Sequence, residues 1–598
     1  MKLDGTNHTN GFNLVIKANT FLLLKVFRYN RTLFFLRVLV AILGSVSTIL
    51  TILMPMYLLQ SLIYEDLSQT LNVIIVFTFS YLTIMLIGTV FSGYEKVENE
   101  KIYVAIINEF LQKTIDLDLG YFDRTDSYDR YNRAFGNCCK VIDNANAILS
   151  SFVTSVINIF LITGLLIWMD FYIFISIIVI IIISFLVSNK LKKIDYQFSV
   201  KISEKNKQLN YLYRLFYVPQ YVREIKANNL SNYLFDMKQR FNYGTIELTK
   251  EQMKSKIPYN IFMGSLNILE NSAVALYFGF SVIVGRIAIA EYFTCINAYN
   301  QLKNTILNLI STYTQLYSNS MFASDYLGFL SSKETVTLNK KGEMLFAIHE
   351  IKFASVSFRY PNSNVNALTD VSFTINKGEK VAILGKNGAG KTTIIKLLLR
   401  LYDPASGEIL INGLNIREYN TESLRSAIQT LFQDFATYAF SIKDNVSLGR
   451  NISDDDILTA LEKVQLRSKI ESLEHSLDTP ITSQLHANGI ELSGGEAQKL
   501  AIARIYANNP KTFVMDEPTS SLDPYAETLL YSKLLEEKNT DVTVIVISHR
   551  LTLTYKMSKI IVIEQGSVVE NGKHDDLMNN RGIYSDMYNE QATKFIDM

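Results

Sequence analysis

Cysteine is scarce: there are three, Cys138, Cys139 and Cys295, in 598 residues. Two of them are adjacent, and immediate neighbours do not easily bridge each other, so no disulfide framework is expected. With only six histidines besides, nothing falls at metal-ligand spacing, which argues against a zinc site. Charge is also sparse, at 19% of residues, and the two signs nearly cancel to +1. No global field therefore points to nucleic acid as a partner. Proline (nine) is rare while Asn, Ile, Lys and Tyr are abundant, a bias that fits an AT-rich bacterial coding sequence. What the chain has in excess is apolar surface. It is 48% hydrophobic with a positive mean hydropathy, which suggests an integral membrane portion.

Residues 1–11 are polar. Residues 12–30 mix apolar side chains with Lys17, Lys25 and Arg28 and lack a small-residue cleavage site, so 1–30 reads as an interfacial amphipathic helix region rather than a signal peptide. Six long apolar segments follow, roughly 33–62, 71–93, 145–168, 171–189, 257–284 and 287–312. Each reaches the about 20 residues that a membrane-spanning helix needs. The run Ile177–Ile183 has no polar face at all. The connections near 63–70, 169–170 and 285–286 hold a single basic residue, Arg286, whereas 94–144 and 190–256 are rich in Lys and Arg. The long connections therefore belong in the cytoplasm, and six spans put both termini there too. These connections are helix-prone, with Val104, Ile107, Phe110, Leu111 and Ile115 at helical spacing. The expectation is membrane helices running on past the bilayer, reversing at tips near Phe122–Arg133 and Val218–Lys226 that press on a cytoplasmic domain. A six-helix membrane domain at 31–330, a polar linker at 331–347 and a second domain at 348–598 complete the division.

That second domain carries Gly385-Lys386-Asn387-Gly388-Ala389-Gly390-Lys391-Thr392-Thr393, which contains the pattern G-x-x-x-x-G-K-[ST]. The apolar run Val381–Leu384 precedes it and reads as a buried strand; Thr393–Leu399 reads as a helix. Strand, glycine loop and helix are the context in which backbone N–H groups curl around phosphate oxygens, aided by the positive end of the helix dipole. Lys391 suits the β/γ-phosphates and Thr392 suits Mg²⁺. Downstream, Phe513–Met515 is an apolar run ending in two carboxylates. Asp516 suits the Mg²⁺ shell and Glu517 suits polarising an attacking water.

Between these lies Leu492-Ser493-Gly494-Gly495-Glu496. This motif, the paired acids after it, Ser521-Leu522-Asp523 and then His549 together closely resemble the ATP-binding-cassette ATPases, over essentially all of 348–590. The resemblance implies that Tyr360 stacks on adenine, that Gln433 is the Q-loop glutamine contributing to the Mg²⁺ site, and that His549 contacts the γ-phosphate with Glu517 orienting water. It assigns Ser493, Gly494, Gly495, Glu496 and Asp523 to nucleotide binding. The signature would hold ATP seated on another subunit's phosphate loop, so a homodimer is expected. Glu496 departs from the usual Gln, and 482–491 lack the acidic-glycine pattern common in exporters. With the six spans, the whole chain is similar to half-transporters of the ABC exporter class, an all-α membrane domain fused ahead of an α/β P-loop ATPase in a bacterial plasma membrane.

Cargo is least legible. Asn158, Asn260, Asn267, Glu270, Asn271, Asn297, Asn300, Gln301, Asn304 and Asn308 lie within apolar segments, where polar groups are costly and tend to face a cavity or a neighbouring helix. Glu270 is the residue expected to meet a cationic or polar substrate. Tyr221–Leu230 and Leu431–Phe435 resemble exporters of lantibiotic-type peptides, which implies peptide export; export of a drug-like amphiphile or lipid, or a regulatory membrane ATPase, is the alternative. No protease domain precedes the first span, so leader cleavage by this chain is not expected.

Overall fold

The structure is a computed structural model that describes residues 8–169, 171–332, 339–482, 486–517, 541–548, 551 and 554–596, and leaves undescribed the side chains of 8–14, 167–181, 592–596 and a few positions between 192 and 220. The chain forms two compact units. One is Met1–Leu111 with Arg130–Ser331; the other is Gln112–Asp129 with Ser332–Met598.

The first unit is helical. Its elements run α1 (His8–Tyr29), α2 (Arg31–Ile63), α3 (Leu67–Asp116), then, after a short α4 (Leu119–Asp123), α5 (Thr125–Met169), α6 (Phe171–Tyr217), α7 (Pro219–Ala227), α8 (Ser231–Ile283) and α9 (Ile289–Leu330). The six long apolar segments fall on α2, α3, α5, α6, α8 and α9. With 50 residues in α3 and 53 in α8, at a rise of about 1.5 Å per residue, these helices exceed twice the roughly 30 Å of a hydrocarbon core. They therefore extend well past a bilayer, as their charged far ends predict.

Among the described residues four helices, α2, α3, α5 and α8, hold a stretch apolar enough to cross a membrane by length and composition. The run expected to be the fourth span lies in α6, where the side chains are outside the described residues. The sixth segment lies in α9, which is more polar and falls below that hydropathy. Its position explains the polarity. α9 packs against α1, α2, α6 and α8, burying Thr294, Cys295, Ala298, Tyr299 and Leu302. A helix sheathed by its neighbours meets little lipid and tolerates polar side chains that an outer helix would not.

The reversals also refine the sequence reading. The first comes earlier than Phe122–Arg133: Asp118 caps α4, its carboxylate accepting the Tyr121 N–H at 2.8 Å, and α5 has already begun at Thr125. The second is α7, opened by Pro219 in the first turn, where a missing N–H costs nothing.

The second unit contains two sheets. The strands β1 (Glu350–Phe358), β2 (Leu368–Asn376), β4 (Ser406–Ile411) and β5 (Leu414–Asn415) form an antiparallel sheet in the order β2-β1-β4-β5. The strands β3 (Lys380–Leu384), β6 (Ile428–Leu431), β7 (Thr512–Asp516), β8 (Thr543–Ile547), β9 (Lys559–Glu564) and β10 (Ser567–Gly572) form the other in the order β10-β9-β3-β8-β7-β6. β3 lies between β8 and β9, parallel to both. Its side chains alternate between two cores. Val381 and Ile383 join Phe353, Ile394 and Leu397 on one face; Ala382 and Leu384 join Ile442, Leu461 and Leu500 on the other. Burial on both faces is why this strand reads as an unbroken apolar run. The helices that bear on the site are α10 (Lys391–Leu398), α11 (Thr421–Ala427), α12 (Ile442–Ser447), α13 (Asp454–Lys463), α14 (Arg467–Glu471) and α15 (Gly494–Ala507).

Candidate functional site

The loop between β3 and α10 is shaped by glycine where side chains would not fit. A Cβ on Gly385 would lie 2.2 Å from the Ile563 carbonyl oxygen. Gly390 caps α10 at φ +103°, and its Cβ would meet the Ala367 carbonyl oxygen at 2.6 Å. Lys386, Asn387 and Gly388 stand exposed while Ala389 is buried. Lys391 is buried, its Nζ donating to the carbonyls of Gly385 at 2.7 Å and Lys386 at 3.0 Å. Burial pulls its pKa below the ordinary lysine value, and the charges of Glu517 and Asp516 pull the other way.

Asp516 ends β7 in the strand position beside Ile547 of β8. Its Oδ2 accepts the Thr392 hydroxyl at 2.7 Å, so the loop threonine and the strand-end acid meet although 124 residues separate them. Burial raises the Asp516 carboxyl above its usual range, opposed by the Thr392 hydrogen bond and reinforced by Glu517. A hydroxyl and a carboxylate side by side are the hard oxygen donors that Mg²⁺ takes, with phosphate and water completing an octahedron. The residues present therefore fit that ion. No cluster of three or more His, Cys, Asp or Glu suited to a metal occurs among the described residues.

Glu517 leaves the strand with φ +48°, a left-handed backbone unusual for a side chain of this size. Its N–H donates to the Ile547 carbonyl at 3.0 Å. Its Oε2 accepts Gln433 Nε2 at 3.0 Å. Gln433 and Glu517 are thus brought together next to the Thr392–Asp516 pair. Tyr360 is half-buried, its hydroxyl 3.1 Å from Thr393 Oγ1. Its ring meets Tyr402 edge-on at 5.4 Å, and Lys396 Nζ lies 5.3 Å from its centroid. An aromatic face is thereby held beside the glycine loop.

The signature forms a different face. Ser493 caps α15, and with Glu496 it makes a reciprocal capping box: Ser493 Oγ accepts the Glu496 N–H at 3.3 Å and Glu496 Oε2 accepts the Ser493 N–H at 3.0 Å. Lys469 of α14 donates to Glu496 Oε1 at 2.6 Å. These interactions, the Lys469 bond first, hold the Glu496 carboxyl below its ordinary range. Ser493 and Gly494 are exposed and Gly495 half-buried. Among the described residues, no hydrogen bond joins them to the glycine loop. Asp523 and His549 lie outside the described residues.

Further contacts around the site come from packing. Asn445 is fully buried, and its Nδ2 donates to the carbonyls of Tyr438 at 2.8 Å and Ser441 at 3.0 Å. Arg504 of α15 donates to both oxygens of Asn445, tying the segment after Gln433 to the signature helix. The tip helix α4 belongs to this unit: Tyr402 donates its hydroxyl to Asp123, and Asn362 Nδ2 donates to the Asp123 carbonyl at 2.5 Å. Asp123 lies within the expected tip Phe122–Arg133, whereas Tyr402, Asn362 and Arg504 meet Asp123 and Asn445 from distant segments and have no sequence signal of their own.

In the helical unit the structure corrects the reading of Glu270. Its side chain is 6% exposed, lies 3.5 Å from Lys303 Nζ and accepts the Tyr299 hydroxyl. Lys303 also donates to Asn267 Oδ1 at 2.6 Å and Asn271 Oδ1 at 2.7 Å. The carboxylate is neutralised within the protein, so it does not stand ready for a cationic substrate. Buried charges persist where they are paired. Asn304 and Asn308 are exposed, whereas Asn297, Asn300 and Gln301 are half-buried.

Glycine loop, strand-end acid pair and exposed signature on this two-sheet fold define an ATP-binding cassette behind a helical membrane domain. Residues 368–520 match the ABC transporter family; this ATP-binding domain is fused with a helical domain that holds helices long and apolar enough to cross a membrane, which supports ATP hydrolysis coupled to transport. It is 26% identical over 94% of its length to the subtilin transport ATP-binding protein of Bacillus subtilis, covering 92% of that protein. It is 26% identical to the nisin transport ATP-binding protein of Lactococcus lactis, over 88% of this chain and 90% of that one. Identity rises to 38%, over 40% of each chain, with a putative multidrug export ATP-binding/permease protein of Staphylococcus aureus. The fold is that of a bacterial Atm1-family ABC exporter solved with ATP bound, at TM-score 0.78 and 21% identity, over 94% of this chain and 98% of that one.

Proposed function

We propose that two copies of this chain form an exporter that moves a peptide out of the cytosol across the plasma membrane, driven by ATP bound between the two cassettes. One observation carries the dimeric part. The chain presents one glycine loop and one exposed signature with no hydrogen bond between them among the described residues, so a second copy would complete each ATP site. In that site Lys391 and the loop amides neutralise phosphate charge. Thr392 and Asp516, with Gln433 beside them, would hold Mg²⁺, which would supply charge neutralisation to the triphosphate. Glu517, steadied by Gln433, orients the attacking water and takes up its proton. Tyr360 receives the adenine, and Ser493, Gly494 and Gly495 of the partner copy bind the γ-phosphate at a helix N-terminus. His549 and Asp523 take the roles that the resemblance gives them. The cassette then lies in the cytosol.

The full-length likeness to the subtilin and nisin transport proteins supports a peptide cargo. ATP-dependent uptake of a labelled peptide into inside-out vesicles tests it, with Glu517→Gln as control. Uptake in the wild type and none in the variant supports peptide export. Vigorous ATPase activity with uptake of amphiphilic dyes and no peptide would favour the drug-export reading, which the 38% identity to a putative multidrug exporter makes the second choice.

A further inference from the structure

Glu496 places a carboxylate in the first turn of the helix that is proposed to bind a triphosphate. Such a charge repels the ligand unless it is compensated. In the structure the compensation comes from outside the motif. The first turn of α15 holds no basic residue; the cation is Lys469, 27 positions upstream on α14, donating to Glu496 Oε1. The other oxygen, Oε2, is spent on the Ser493 N–H. The helix itself does not need this ion pair, because a capping-box carboxylate already favours a helix N-terminus through the N-cap amide and the dipole. A lysine that the fold does not require, bonded to the one atypical residue of the signature, points to the ligand.

We propose that Lys469 is a positioning residue for the signature half of the ATP site. It cancels the charge of Glu496 and keeps that carboxylate turned onto the Ser493 N–H. The start of α15 then presents a positive end, and a serine of fixed orientation, to the γ-phosphate of the opposing copy. The proposal rests on the composite-site reading above. Both partners are partly exposed, Lys469 at 43% and Glu496 at 26%, so the effect is electrostatic and falls as salt screens it.

The test uses the full-length chain in lipid nanodiscs, with KM for ATP and kcat measured at low and high salt. Lys469→Met raises KM about fivefold at ~50 mM salt with kcat nearly unchanged, and the effect shrinks below about twofold at ~500 mM. Lys469→Arg behaves as wild type. Adding Glu496→Gln to Lys469→Met restores KM to within about twofold, because the uncompensated charge is gone. A merely structural lysine would lower the thermal midpoint and would not be rescued by a change on another helix. An unchanged KM in Lys469→Met at low salt, or a raised KM that persists in the double variant, overturns the proposal. Failure of the composite-site reading shows separately, as wild-type turnover that survives Ser493→Ala.

Discussion

Glu517 shows how a single residue can join backbone strain to chemistry. A left-handed backbone at a non-glycine position costs on the order of 1–2 kcal/mol, and here the Ile547 carbonyl and Gln433 hold it in place. The turn takes the carboxylate off the line of β7, beside the Thr392–Asp516 pair. Replacing it by Gln keeps the shape and removes the proton acceptor. Glu517→Gln is expected to bind ATP normally and to hydrolyse it about 10²–10⁴-fold more slowly, read as phosphate release against nucleotide binding. Gly390→Ala fails differently. Its φ of +103° and the Ala367 carbonyl at 2.6 Å leave no place for a methyl group, so the loop must shift. ATP affinity falls tenfold or more, and stability drops by about 1–3 kcal/mol, seen in nucleotide titration and thermal unfolding. In the helical unit, Glu270→Gln takes the counter-charge from the buried Lys303 ammonium, which keeps its bonds to Asn267 and Asn271, and should cost about 1–3 kcal/mol. Pairing it with Lys303→Met removes both charges and recovers most of the thermal midpoint.

At the scale of elements, the tip helix α4 is the informative one. The Tyr402 ring touches Tyr360, the proposed adenine platform, and its hydroxyl holds Asp123 of the tip. Burial and Asp123 together push the Tyr402 phenol above its ordinary pKa, so it stays a donor. Tyr402→Phe keeps the ring and loses the bond. Basal ATPase should persist while stimulation by cargo falls severalfold, measured as the ratio of stimulated to basal turnover. Such elements were only half legible in the sequence. β3, its glycine loop and α10 could be read directly, because burial on both faces and the need for positive φ leave local marks. The first tip was placed several residues late, since the capping by Asp118 was not recognised. The polar residues of α9 were expected to face a cavity or a neighbouring helix, and packing shows which helices sheathe it. Thr392 and Asp516 could be assigned to one Mg²⁺ site from the glycine-loop pattern and the strand-end acids, although the sequence does not show their contact. Lys469 with Glu496, and Asn445 with Arg504, could not be foreseen, because nothing in a sequence says which distant turns become adjacent.

For the whole molecule, the proposed dimer makes a quantitative demand. If every ATP site takes its glycine loop from one copy and its signature from the other, Lys391→Ala chains and Ser493→Ala chains are each dead alone. Mixed one to one, half of the dimers combine the two variants, and each of those holds one intact site and one doubly disabled site. ATPase activity should reappear on co-reconstitution of the two inactive proteins. Continued silence, with mixing confirmed by differential tags, would mean either that the sites are not shared or that one site cannot turn over alone; cross-linking across the signature separates these.

The segment Gln112–Asp129 groups with the cassette although it is encoded in the middle of the helical half. Besides the Asp123 contacts, Lys340 pairs with Asp116 at 2.9 Å. The cassette is therefore not a module that can be lifted out at one cut. A chimera that takes residues 348–598 from this chain and its helices from a relative would bring Tyr402 and Asn362 against a foreign tip. Changes in the tip and in the cassette surface must be inherited together, and a working graft has to exchange both.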